Sequence, residues 1–254
     1  MQSKGGANPA FRYIFFNSIR VLNPARVKKK DAAAIGAKNH VTKMPLYKTI
    51  NFSPTAQILV WEITESFLEL SGKVVLKEKT QGRLNKMKSE MHQRAFLSVR
   101  MLLKEAGYTD FELHYDEFGK PYFLDSKYVS ITHSHHFSAI IISDKTVGID
   151  IEMQRQKITR IADKFVNAAE LHRLKSFDAQ DYIKKLTVKW GAKEAIFKIR
   201  NEKGISFKNH IQVNPFEICD KKTTATLEMG NIKQQFSVHF EELENFTLVY
   251  AFEK

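Results

Sequence analysis

The chain predicts a mixed fold of helices and antiparallel strands, on three observations. Apolar residues recur at helical spacing over 90–105 and again over 179–200. Short runs rich in Val, Ile, Phe and Tyr lie between and after these stretches, bounded by turn-forming residues. A helix followed by strands occurs in each half of the 254 residues, with no clean internal repeat.

Taken in order, Gln57-Ile58-Leu59-Val60-Trp61-Glu62-Ile63 reads as a first strand and 64–71 as a short helix. Residues 73–88 are polar and basic and carry no assigned element. Met91, Phe96, Leu97, Met101 and Leu103 space out a helix that ends before Gly107. Residues 111–115 alternate like a strand, and Glu117-Phe118-Gly119-Lys120-Pro121 forms a turn. Strands follow at 128–132, 137–143 and 146–152. Helical patterns then cover 158–166, 168–177 and 179–200, and strands are expected near 210–213, 223–229, 234–240 and 246–252.

The chain is 43% hydrophobic and 27% charged, which suits one large or two small globular domains. Its single cysteine, Cys219, excludes an internal disulfide framework and a multi-cysteine metal site, and fits a reducing, cytoplasmic compartment. Between Ile218 and Asp220 it reads as a packed small residue rather than a nucleophile.

A net charge of +12 and a pI near 9.6 invite a nucleic-acid partner. The distribution argues otherwise. Residues 1–43 hold nine Lys/Arg and one acid, Asp31; the remainder holds 31 basic and 27 acidic residues. We therefore expect no nucleic-acid partner, and a mildly basic body suited to an anionic ligand and an acidic partner. The first 43 residues contain Gly5-Gly6, Pro9, Pro24 and Lys28-Lys29-Lys30 without sustained periodicity. They read as a poorly structured, dispensable basic extension, with the folded part starting at Met44-Pro45-Leu46-Tyr47. Tyr13-Ile14-Phe15-Phe16 is too short to span a membrane and lacks the context of a secretory signal. No run of eighteen apolar residues occurs elsewhere, so no transmembrane helix is expected.

Two acidic clusters carry the chemistry. In Val147-Gly148-Ile149-Asp150-Ile151-Glu152, alternation puts Asp150 and Glu152 on one face of a strand and the three apolar residues on the other. In Trp190-Gly191-Ala192-Lys193-Glu194-Ala195-Ile196-Phe197-Lys198, Glu194 and Lys198 share a helix face. Taken singly, the acids read as a strand cap and a solvated helix pair. Together, three carboxylates with Lys193 and Lys198 nearby suit a hard cation and a phosphorylated ligand, and magnesium binds in this way. Trp190 reads as core, and Gly191 as a position allowing close approach.

In order and spacing, these two clusters resemble the signature of the 4′-phosphopantetheinyl transferases, a strand G-[IV]-D-x-E followed by [WF]-x-x-K-E-x-x-x-K. The length resembles the larger, surfactin-synthetase-activating type, and the likeness covers about residues 44–254. It implies an α+β fold of two similar subdomains, 44–152 and 153–254, about a pseudo-two-fold axis, with the active site between them. It also implies a monomer.

By this resemblance, Asp150, Glu152 and Glu194 hold Mg2+, and Lys198 offsets charge on the pyrophosphate of coenzyme A. Lys193 contacts the same ligand or its carboxylates. Glu194, directly or through water, takes a proton. Val129-Ser130-Ile131-Thr132-His133-Ser134 resembles the family's [IV]-S-H-S strand end, which assigns Thr132 and His133 to the nucleotide end. Lys120, in Gly119-Lys120-Pro121, and Arg94 are carried over to the nucleotide phosphates. Thr132 in place of serine, and His135-His136 in place of small residues, depart from that pattern.

The implied reaction moves the 4′-phosphopantetheine arm of coenzyme A to a serine of an apo acyl or peptidyl carrier protein, releasing adenosine 3′,5′-bisphosphate. The nucleophile then belongs to the partner, in keeping with the lack of a Ser–His–acid constellation here. Lys184, Lys185 and Lys189, with Leu186 and Val188, are a docking face for an acidic carrier or a plain solvated helix face. Two other classes stay open. One is a magnesium-dependent phosphoesterase or nuclease with water as acceptor; the other is a non-catalytic relative that binds carrier proteins.

Overall fold

Sheet faces that are apolar on both sides must be covered on both sides, and the arrangement of the layers follows from this. The computed structural model describes residues 46–174 and 178–254. The expected extension over 1–43 lies outside the described residues, as do the last three positions of the helix predicted over 168–177.

The first sheet has the order β1-β2-β6-β5, built from β1 (Leu46–Ser53), β2 (Ala56–Glu62), β5 (Tyr128–Ser134) and β6 (Phe137–Ser143). All its pairings are antiparallel. The second has the order β7-β11-β10-β9-β8, from β7 (Val147–Met153), β8 (Ile211–Val213), β9 (Lys222–Met229), β10 (Ile232–Leu243) and β11 (Phe246–Glu253). It is antiparallel too.

Alternation along β2 explains the stacking. Leu59 and Trp61 pack with Phe96, Leu97 and Leu103 of helix α3 (Glu90–Glu105). Ile58 and Val60 point the other way, into a core shared with Val147, Ile149, Leu248 and Tyr250 of the second sheet. The far face of that sheet meets Val188, Ala192, Ala195 and Ile196 of helix α6 (Ala179–Arg200). The result is four layers, helix–sheet–sheet–helix, an α+β fold as expected.

The expected long helices, the β6 strand and the four C-terminal strands all form, within a few residues at their ends. Five local readings change. Strand β1 is an edge strand with no fully buried residue, although Leu46, Tyr47, Ile50 and Phe52 are apolar; the sequence reading assigns it no element. The stretch 73–88 contains α2 (Glu78–Asn85), after α1 (Phe67–Ser71); only Thr80 and Leu84 of α2 are buried. The strand expected over 111–115 shrinks to β3 (His114–Tyr115), paired with β4 (Pro121–Tyr122) across Gly119 at φ +86°. The helix expected over 158–166 splits into a 3-10 turn, Gln156–Arg160, and α4 (Ala162–Phe165), ahead of α5 (Ala168–Leu174). Cys219 is exposed rather than packed. No helix among the described residues is long and apolar enough to cross a membrane.

The seam between the sheets positions the site. One edge of β7 pairs with β11. On its other side, the N–H groups of Ile149 and Ile151 donate to the hydroxyls of Ser130 and Thr132 on β5, both at 3.2 Å. Side-chain hydroxyls thus take over from a backbone ladder where the sheets meet, which leaves those donors satisfied. The division expected at 152/153 puts β7 in the first subdomain, whereas its ladder belongs to the second sheet.

Candidate functional site

The acidic strand and the long helix touch because two glycines let them. A Cβ on Gly148 would stand 2.0 Å from the carbonyl oxygen of Ala195. A Cβ on Gly191 would stand 2.7 Å from Val249 Cγ2. Glycine inside a helix costs about 1 kcal/mol relative to alanine, and here close packing against β11 requires it. On β7, Val147, Ile149 and Ile151 enter the core between the sheets. Gly148, Asp150 and Glu152 therefore face α6. The helix starts at Asp178, whose carboxylate accepts from the Gln180 N–H, and ends at Asn201 in the left-handed region, φ 50°.

Asp150 is buried at 5% exposure and Glu194 at 8%. Lys198 Nζ donates to Asp150 Oδ1 and to the Ile149 carbonyl, both at 2.8 Å. Thr132 Oγ1 donates to the same Asp150 oxygen at 3.2 Å. The other oxygen, Asp150 Oδ2, is buried and accepts no hydrogen bond. Trp190 Nε1 donates to Glu152 Oε1 at 3.1 Å.

Burial, and next the charge of Asp150, push the carboxyls of Glu152 and Glu194 well above the usual carboxylate range. Lys198 pulls both the other way, and the Trp190 N–H lowers Glu152, but neither prevails. One ammonium beside three acids leaves an excess of buried negative charge, and buried charge without a partner is costly.

The donor set fits a hard divalent cation in its chemistry: three carboxylates, one oxygen of which is buried and unpartnered. Among the described residues, no three His, Cys, Asp or Glu side chains yet stand close enough to close on one ion. Lys198 and Thr132 engage Asp150 Oδ1 and leave Oδ2 without a partner.

The other expected residues fall into two groups. His133 stays near the acids. Its ring has an exposed edge but protein packed around most of it. Burial among protein atoms, then the charges of His92 and Lys198, lower it from 6.5 to about 4, against the pull of Asp150. It is therefore a neutral imidazole at neutral pH, not the protonated donor that would favour a phosphate most. Its ring lies 6.4 Å from that of His92, which carried no sequence signal.

Lys120 lines a cavity of about 490 Å³ with Tyr122, Lys127 and Tyr128. Its ammonium donates to the Ile199 carbonyl in the last turn of α6 at 2.6 Å, and burial lowers its pKa. Arg94 lines a smaller cavity of about 200 Å³ with Ile63, His135 and His136. It is no freely solvated arginine: Nη2 donates to the Ile63 carbonyl at 3.0 Å, and Nε is buried without a partner.

Three expectations give way to burial. Thr132 is 6% exposed and its hydroxyl is engaged by Asp150 and Ile151, so it positions the acid instead of facing a nucleotide. Lys193 is 0% exposed and points away from the acids into a separate polar centre, bonded to Glu170 at 2.9 Å. Desolvation lowers its ammonium to about 8 although Glu170 opposes the shift. The face proposed around Lys184, Lys185 and Lys189 is occupied within the fold. Lys184 pairs with Glu242, Lys185 with Asp181 and Glu217, and Lys189 with Glu170, while Leu186 and Val188 are core.

Residues 146–251, which contain all four of Asp150, Glu152, Glu194 and Lys198, match the family model described as the 4′-phosphopantetheinyl transferase superfamily. Over this segment the chain is similar to that superfamily. Over 128 residues the chain is also 28% identical to "4'-phosphopantetheinyl transferase gsp" of Aneurinibacillus migulanus. That match covers 50% of this chain, and the chain spans about half of that protein, 52% of its length. The superfamily segment begins one residue before β7, so Arg94, Lys120, Thr132 and His133 all lie ahead of it.

Proposed function

We propose that the protein transfers the 4′-phosphopantetheine arm of coenzyme A to a serine of an apo acyl or peptidyl carrier protein, dependent on magnesium. The observation that carries this reading is the seating of Asp150 and Glu152 against Glu194 and Lys198 within the superfamily segment. A magnesium ion on Asp150, Glu152 and Glu194 would supply charge neutralisation and a clamp on pyrophosphate oxygens.

The chain's own residues do the rest. Lys198, one turn beyond Glu194, shares its ammonium between Asp150 and a phosphate oxygen and offsets charge as the bond breaks. Glu194 takes the serine proton. The serine oxygen bonds to the phosphorus of the pantetheine phosphate, the pyrophosphate bond breaks, and adenosine 3′,5′-bisphosphate leaves. His133 donates one ring N–H towards the nucleotide end as a neutral imidazole. Lys120 keeps two N–H donors beyond the one spent on Ile199. Holding the two substrates in line supplies much of the acceleration. The working unit is a cytoplasmic monomer.

Intact mass spectrometry of a panel of apo carrier proteins tests this. The expected result is a gain of one phosphopantetheine on a carrier, lost on adding a chelator. No gain on any carrier, with coenzyme A bound and magnesium present, counts against the transferase reading.

A further inference from the structure

Lys193 and Glu170 form a charged centre that the reaction above does not use. Three N–H donors on Lys193 meet four oxygens: Glu170 Oε2 at 2.9 Å and the carbonyls of Phe165 (2.8 Å), Phe207 (2.8 Å) and Ile211 (2.6 Å). Glu170 also takes Lys189 at 2.9 Å and the Val213 N–H at 3.1 Å. Lys193 and Glu170 are 0% and 3% exposed, so neither can touch a ligand in solvent. A buried ion pair is weak evidence of stability, because desolvation offsets most of the attraction. What it fixes is geometry.

The rings of the two residues it holds lead back to the site. Phe165 meets Trp190 edge-on at 5.1 Å, and Phe207 lies against the same indole at 5.6 Å. Trp190 in turn donates its N–H to Glu152. We propose that Lys193 is a positioning residue for the acidic site: it ties down the backbones of Phe165 and Phe207, whose rings wall Trp190, and so aims the indole N–H that orients Glu152. This rests on the reading of Asp150, Glu152 and Glu194 as magnesium ligands. Partners that orient a metal ligand typically contribute about 10–100-fold in affinity.

The test uses the full chain with Trp61→Phe, so that Trp190 is the one remaining tryptophan. Without metal, Lys193→Met is expected to lower the fluorescence anisotropy of Trp190 well below the unfolding temperature. In calorimetry with magnesium alone, on the wild-type tryptophan background, Lys193→Met and Trp190→Phe are each expected to weaken binding roughly 10-fold. Because they act along one route, the double variant should be no weaker than the weaker single. A double variant whose loss is the product of the singles overturns the proposal. So does unchanged anisotropy in a protein that binds magnesium normally. A wild-type protein that binds no magnesium overturns the ligand reading instead, whatever the anisotropy. If Lys193→Met does not fold, Phe207→Leu loosens the same wall and takes its place in both measurements.

Discussion

Lys198 reaches from the last turn of α6 to Asp150 on β7, Nζ to Oδ1 at 2.8 Å, and so makes an ion pair across the seam between helix and acidic strand. It is one cation among three acids. Asp150 Oδ2 stays unpartnered, and Glu152 and Glu194 hold their protons far above the range of an ordinary carboxyl.

Glu194→Gln separates stability from function. Glutamine keeps the shape and mimics the protonated carboxyl that burial favours in the metal-free protein. The metal-free variant is expected to melt at or above the wild-type temperature in differential scanning calorimetry, and to lose transfer to a carrier. Near-normal turnover would remove Glu194 from the mechanism.

Gly148→Ala tests the close approach of β7 and α6. The new methyl would meet the Ala195 carbonyl at 2.0 Å, backbone that cannot swing aside. Overpacking of this kind costs about 1–3 kcal/mol or more. Urea denaturation should show that loss, with weaker magnesium binding because Asp150 is displaced. An unchanged midpoint would mean the helix can shift freely.

Lys120→Met tests how α6 is anchored at its C-terminal end. The ammonium donates to the Ile199 carbonyl, where a cation also favours the negative end of the helix dipole. Hydrogen bonds to charged groups contribute about 1.5–3 kcal/mol, and burial of Lys120 lowers its charge affinity, so the loss should fall near the lower figure. Chemical denaturation measures it. No change would mean that the contact contributes nothing net.

His133 sets a pH dependence. Its folded pKa, about 4, lies below the unfolded value of 6.5, so the unfolded chain binds more protons between these two. Its contribution to stability is therefore present above about pH 6.5 and fades as pH falls towards 4. A His133→Gln variant should lose less stability across that window than the wild type. Following the ring protons by NMR should give an acid-shifted titration that moves upward when inorganic phosphate binds. An ordinary titration near 6.5 would contradict the burial of the ring among protein atoms.

Both acidic clusters were legible because each is local: period two puts Asp150 with Glu152, and a spacing of four puts Glu194 with Lys198. The role of Gly191 was half legible, since a glycine in a helix asks for a reason, but only the fold names Val249 as that reason. Lys193 was misread because its sequence neighbours are the site residues, while a helix turns each successive side chain by about 100° and carries this one to Glu170. Glu170 itself, His92 and the tie between Thr132 and Asp150 depend on contacts between distant segments, which no local pattern encodes. Strand β1 and helix α2 escaped notice for a different reason: they lie at the periphery and bury little.

The fate of the pyrophosphate bond tests the central claim most directly. Release of adenosine 3′,5′-bisphosphate from coenzyme A can be followed with an apo carrier, with the same carrier bearing alanine for its serine, and with none. The account predicts release only with the serine-bearing carrier and magnesium, one for one with carrier modification. Equal release without a carrier would mean that water is the acceptor, and that the site belongs to a hydrolase.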